Sequence, residues 1–226
     1  MDRLCSLLFR VRWPVFFFIL LQAAPSGHAQ TKETRRFDIA INGKQAGTYQ
    51  MNFSAQPDGA LSVTHQASVR VTTLLIATYT YAFAGSELWK DGQLWQWDSS
   101  GDDNGERFVT SARRDTNGFR VRVNGKERVV RPDFWLNSFV FKPAGQPRGQ
   151  RQPLVEVDTG KELRGVVDYV GREERNIAGH KQACDHVRVR GDVQVDVWYD
   201  AQGRLVHQES VEDGHRTVLQ LKQVGR

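Results

Sequence analysis

His65, Glu87 and Cys184 are the side chains of this sequence with the chemistry to move a proton or attack a carbonyl carbon. Brought together across strands, they would assemble the site of a hydrolase of the cell envelope. His65 falls on the same side of its strand as Val63 and Val69. A histidine there suits ligand contact, proton sensing, or a core position bonded to a backbone carbonyl. Cys184 has His186 two residues away, on the same nominal face, and a small apolar core thiol is the other fate of a lone cysteine. Glu87 stands where a strand meets Trp89 and the Asp91-Gly92 turn, and reads as a buried carboxylate with a partner such as Arg70 or Arg107.

Other patterns carry less. Asp192, Asp196 and Asp200 are spaced by four, which puts neighbours about 13 Å apart along an extended chain, too far to share one ion without a bend. They read as solvent-face and turn residues. His207-Gln208-Glu209 is an H-x-E without the paired cysteines of a zinc site, and reads as exposed strand. The nucleophile elbow, the HExxH zinc helix, the P-loop and the Rossmann glycine fingerprint are all absent from the sequence. The sequence therefore assigns no catalytic residue, no metal ligand and no cofactor.

The elements that must position these residues are strands. From Lys181 to Leu221, Val187 and Val189, then Val193, Val195, Val197 and Tyr199, alternate with polar residues, the period-two pattern of strands with one buried face. The same rhythm runs through Phe37, Ile39 and Ile41, through Tyr49, Met51 and Phe53, and through Val63, His65, Ala67, Val69 and Val71. Thr72 to Ala77 is a small apolar connector, and Tyr79, Tyr81 and Phe83 share the next face. Asn-Gly or Asp-Gly occurs at 42, 58, 91, 104, 117, 124 and 213, and that dipeptide is the strongest short-range hairpin signal.

The fold class is all-β, a large curled antiparallel meander forming a barrel or half-barrel, with at most one short helix. That helix would lie between Pro132 and Pro143, capped by Asp133 and bearing Phe134, Trp135, Leu136 and Phe139. Pro143 to Pro153 reads as an exposed loop. Roughly a dozen strands are more than an open sheet carries without curling, and such a curl has an inside. His65, Val69, Val71, Tyr79, Tyr81 and Phe83 would line it, with Phe134, Trp135 and Phe139 on the aromatic filler or lid, as the candidate ligand-binding residues.

Residues 1–29 have the three-part form of an export signal: Arg3, Arg10 and Arg12, then an apolar run at 15–21, then Gly27-His28-Ala29. Cleavage near Ala29 would leave a single β domain, 30–226, in the periplasm. A spanning helix needs about 20 apolar residues, which this run lacks. The leader holds three Arg against one Asp, so its removal takes two from the formal charge of +5 and leaves +3. Basic and acidic residues alternate, which argues against nucleic acid as a partner. Loss of Cys5 with the leader leaves Cys184 alone, so no internal disulfide can form. A membrane-spanning barrel is disfavoured by the short segment Phe119–Val123, against the roughly 9 to 11 residues such a strand needs.

Three stretches carry a resemblance: Phe37-Asp38-Ile39 with Asn42-Gly43-Lys44 and Gly47; Ser86-Glu87-Leu88-Trp89 with Asp91-Gly92-Gln93-Leu94; and Trp198-Tyr199-Asp200 with Gly203-Arg204-Leu205-Val206. They resemble exported bacterial proteins of domain-of-unknown-function family 6134. A more distant similarity runs to family 3108, and a looser one to half-barrel lipoprotein carriers. The first resemblance implies an exported all-β domain, and brings no activity or site residues. The reading that results is an exported, non-catalytic domain holding a hydrophobic or lipid-like molecule. Its rivals are the hydrolase above and a structural or interaction module offering a strand edge or Trp198, which lies on a polar face.

Overall fold

The computed structural model describes residues 32–73, 76–212 and 214–225. Residues 1–29, read as an export leader, lie outside the described residues, as do Leu74 and Leu75 of the apolar connector. Among the described residues there is no helix. The strands are β1 (Lys32–Ile41), β2 (Lys44–Ala55), β3 (Leu61–Thr73), β4 (Ile76–Lys90) and β5 (Gln93–Asp103). Next come β6 (Glu106–Asp115), β7 (Gly118–Val123), β8 (Lys126–Val130), β9 (Trp135–Leu136) and β10 (Gln150–Val155). The last are β11 (Glu162–Ile177), β12 (His180–Gly191), β13 (Gln194–Tyr199), β14 (Leu205–Glu212) and β15 (His215–Gly225).

They form one sheet in which strands adjacent in sequence pair with each other except for β8 and β9, and β1 pairs with β15, which brings the first and last strands together mid-sheet. Every ladder is antiparallel except β9 on β10. The dipeptides at 42, 58, 91, 104 and 124 fall between consecutive strands, Asn117-Gly118 leads into β7, and Asp213 lies outside the described residues. At Asn42, Asp91, Asn104 and Asn124 the residue and the glycine after it both have positive φ, the mirror-image turn that matches strand twist.

The edges of this sheet are β8 and β9, and residues 131–134 are all that separates them in sequence. Five peptide units reach at most about 17 Å, so the sheet must curl until its edges face one another. The curl is not closed by a ladder. The turn 156–161 fills the seam instead: Ser99 Oγ donates to the Val157 carbonyl (2.6 Å), Thr110 Oγ1 to that of Asp158 (2.5 Å), and Arg128 of β8 to that of Gly160. Gly160 has φ of 66°, and a Cβ there would lie 2.8 Å from Val123, so the seam closes only around a glycine.

The segment expected as a short helix is instead the filling of the curl. Trp135 and Leu136 pair with Leu154 and Val155, Asn137 N donates to the Val155 carbonyl (2.9 Å), and Phe139 adopts φ of 48°, outside the helical region. Asp133 binds Arg131 rather than capping amides. The burial of Trp135, Leu136, Phe139 and Val140 by itself matches one helical face, so the strand pairing with β10 and the positive φ of Phe139 are what exclude the helix. The loop read from Pro143 to Pro153 is likewise shorter than expected, since Gln150–Val155 is β10. Pro153 is tolerated because β9 pairs only with Leu154 and Val155, leaving that side of β10 a free edge.

One end of the curl is stopped up. Phe141 packs against Trp89 (4.9 Å) and Phe53 (6.2 Å), and Lys142 N donates to the Gly203 carbonyl (2.8 Å). Beside it Arg35, 3% exposed, binds Glu33 (2.7 Å), the Leu205 carbonyl (2.9 Å) and Asp200 (2.5 Å), and Arg204 reaches Glu33 (3.0 Å). Two acids and two bases balance in a buried network that ties β1 to the β13–β14 turn. Asp200, read as a turn residue, caps that turn through Oδ1, which accepts from Gln202 N and Arg204 N (2.9 and 3.0 Å).

Candidate binding site

The inner face of β3 and β4 is set by register. Met51, His65 and Gly85 lie side by side, as do Val63, Glu87 and Trp97, the latter row continuing through Ala112 to Val121. Period-two alternation thus turns His65 and Glu87 inward together, on neighbouring strands. His65 Nε2 lies 3.2 Å from Glu87 Oε1, with both side chains fully buried. The pair has the distance of an ion pair without the geometry of a hydrogen bond, so the two atoms face each other and neither has a hydrogen-bond partner. On its other side His65 Nδ1 meets the Tyr49 hydroxyl (2.7 Å), and Trp89 Nε1 donates to Glu87 Oε2 (2.8 Å). Burial, and then the Glu87 carboxylate, drive the Tyr49 phenol well above its ordinary value. Tyr49 therefore keeps its proton and can donate to His65.

Glu87 is thus the buried carboxylate the sequence implied, but its partners are His65 and Trp89. Arg107 binds Asp102 at the surface. His65 and Glu87 do meet, as a hydrolase site requires, yet in packed interior and not in a cleft. Cys184 belongs to β12 and takes no part. Burial pushes its thiol up, away from the thiolate a nucleophile needs, and its Sγ lies on the Gln182 carbonyl (3.7 Å). His186 shares its face, but its ring stacks on Trp198 (4.3 Å) and its Nε2 binds Asp196 (2.7 Å).

Beyond His65 the lining changes character. Val69 and Phe83 are buried, whereas Val71, Tyr79 and Tyr81, further along the same face, are half-buried. Tyr81 OH donates to Asp158 (2.9 Å), and Tyr79 hydrogen-bonds Asp103. Burial first, then these carboxylates, raise both phenols far above the ordinary range. These half-buried, protonated tyrosines lie at the opposite end of β4 from Trp89, against which Phe141 packs. Phe134, Trp135 and Phe139 do not reach it as one unit. Phe134 lies on Trp97 and Phe119 (5.6 and 5.0 Å), while Trp135 and Phe139 pack on each other (4.7 Å) in the neighbouring core cluster. They are filler rather than lid.

Trp198, the candidate partner contact, is covered from within. A register shift between Tyr169 and Gly171 leans the far half of the β11–β12 hairpin over the outer face of β13–β15. Arg175 then sits 4.1 Å above the indole, Gln220 Nε2 donates to the Asn176 carbonyl (3.3 Å), and Glu173 accepts from Trp198 Nε1. His207, read as exposed, is buried under the same hairpin against Trp198 (4.9 Å) and binds Glu209 (3.0 Å).

Burial holds the His207 imidazole below its ordinary value, against the pull of Glu209. For Glu209, burial acts upward but the hydrogen bonds of His207 and Arg216 hold the carboxyl down. A depressed histidine stabilises the fold fully above its unfolded value of about 6.5, and that contribution drains away as pH falls from there towards the folded value. We expect the urea midpoint to fall between pH 7 and pH 5, and His207→Gln to flatten that slope. An unchanged slope in the variant would remove His207 as its source.

Comparison with known proteins adds a family and a fold. A family model described as "Domain of unknown function (DUF6134)" matches residues 37–222. No curated protein matches the chain. Among solved structures, the crystal structure of a β-barrel-like protein of domain of unknown function DUF1849 from Brucella abortus is similar over 85% of this chain and 96% of its own, with a TM-score of 0.61 and 7% identity. At that identity the likeness is one of fold alone. The more distant likeness to family 3108 gains no support from these comparisons.

Proposed function

Because the chain belongs to the DUF6134 family, whose description carries no activity, its own geometry must suggest the function, and we propose a non-catalytic binding domain of the cell envelope. It would be exported by the leader at 1–29, act in the periplasm, and hold a hydrophobic or lipid-like molecule. One observation carries this reading: along the inner face of β3 and β4, burial gives way to the half-buried Val71, Tyr79 and Tyr81 at one end of the curl, which would be the mouth of the site, while Phe141 packs the other. An apolar wall with a few fixed polar groups is what a lipophile needs. The covered Trp198 speaks against the interaction module, and the burial of His65 and Glu87 against the hydrolase.

Titration with a lipophilic fluorescent dye tests this, with Tyr81→Ala as the probe variant. We expect saturable binding by the wild-type protein, weakened about tenfold or more by the loss of the ring and its burial. Absence of dye binding by folded wild-type protein, or equal binding by both, would refute a site at the mouth.

A further inference from the structure

The mouth and the His65–Glu87 pair are separated by one ring. Phe83 stacks on Tyr81 (6.4 Å) on the mouth side and faces His65 (6.5 Å) on the other. Its ring occupies the space over Gly85, where a Cβ would come within 2.8 Å of Phe83 Cζ. Behind it lie three buried polar atoms with no hydrogen-bond partner: His65 Nε2, Glu87 Oε1 and Trp97 Nε1. Orphaned groups of this kind are rare in folded proteins, and each is a cost that a bound polar group removes.

We propose that these atoms, packed behind Phe83 in the unliganded fold, become the polar end of the binding site when that ring turns aside, and that the molecule held is a lipophile bearing a hydroxyl group. This rests on the functional reading above and narrows it to one chemical class. With Tyr49 donating to Nδ1, the imidazole carries its remaining proton on Nε2 and offers it as a donor. Glu87 Oε1, 3.2 Å away, offers an acceptor. A hydroxyl oxygen at the apex of that short base accepts from Nε2–H and donates to Oε1, satisfying both with one group. The indole N–H of Trp97, cross-strand neighbour of Glu87, is a further donor on the same side. A carboxylate head would meet Glu87 as a like charge, and an ether would accept without donating.

The experiment is competition against the bound dye by 1-dodecanol, dodecyl methyl ether and dodecanoate, on the wild-type protein and on Glu87→Met. In the wild type dodecanol should bind about tenfold tighter than the ether, one charge-assisted hydrogen bond's worth, with dodecanoate weaker still. In Glu87→Met the gap between alcohol and ether should close. Should that variant not fold, the wild-type series decides alone. Equal affinity of the three ligands, or an alcohol preference that persists in folded Glu87→Met, overturns the hydroxyl site while leaving the mouth intact. Failure of dye and all three ligands to bind overturns the functional reading and this inference with it.

Discussion

Arg35→Met is expected to lower the free energy of unfolding by about 3–5 kcal/mol, the cost of removing one partner from a buried ion pair. The guanidinium is nearly free of solvent and makes three hydrogen bonds, to Glu33, to the Leu205 carbonyl and to Asp200. Without it, the Glu33 and Asp200 carboxylates remain buried with Arg204 as the cation at hand, and the Leu205 carbonyl loses a donor. The methionine side chain fills much of the volume, so the loss is electrostatic rather than a cavity. The network ties β1 to the β13–β14 turn beside the stopped end, so the effect should appear as a lower urea midpoint with an unchanged slope. A loss below about 1 kcal/mol would mean that this end is wet and the network a surface one.

Trp97→Ala should cost a comparable amount, about 3–5 kcal/mol, by leaving a cavity that its rigid neighbours cannot fill. Trp97 is fully buried and touches both the sheet, through Phe119 (5.6 Å), and the filling, through Phe134 (5.6 Å, edge-on). The contact with Phe134 distinguishes a sheet wrapped round its own chain from a sheet merely packed on itself. In a double-mutant cycle with Phe134→Ala, the two rings should couple by about 0.5–1.5 kcal/mol. Coupling near zero would place Phe134 away from the interior.

Much of the fold was legible because two signals agree. Alternation turned Phe37, Ile39, Tyr49, Met51, Phe53, Val63 and His65 inward, and all are buried. Among the described residues, Asn-Gly and Asp-Gly mark six of the reversals. What alternation does not carry is what lies over a strand. The 133–141 segment looks helical by its cap and by the spacing of its buried residues, but β10 claims its backbone at Trp135 and Leu136. The β11–β12 reversal at Ala178-Gly179 escaped notice because Ala178 adopts φ of 50°, a conformation that its type does not announce. The cover over Trp198 and His207 did leave a trace, since Gly171 inside a strand is the mark of a bulge. His65 and Glu87 were each picked out as polar residues of interest. Their meeting across strands stands in the sequence only as the hydrolase alternative, because it depends on the register between β3 and β4, which alternation alone does not specify.

Mass spectrometry of solvent extracts from the protein purified without detergent from the cells that make it tests the central claim most directly. A curled sheet with one end stopped and a tyrosine-framed mouth at the other should carry a lipophile through purification, near one molecule per chain, and lose it in Tyr81→Ala. Extracts from folded wild-type protein that contain no lipophile, together with no uptake of one offered in excess, would contradict it.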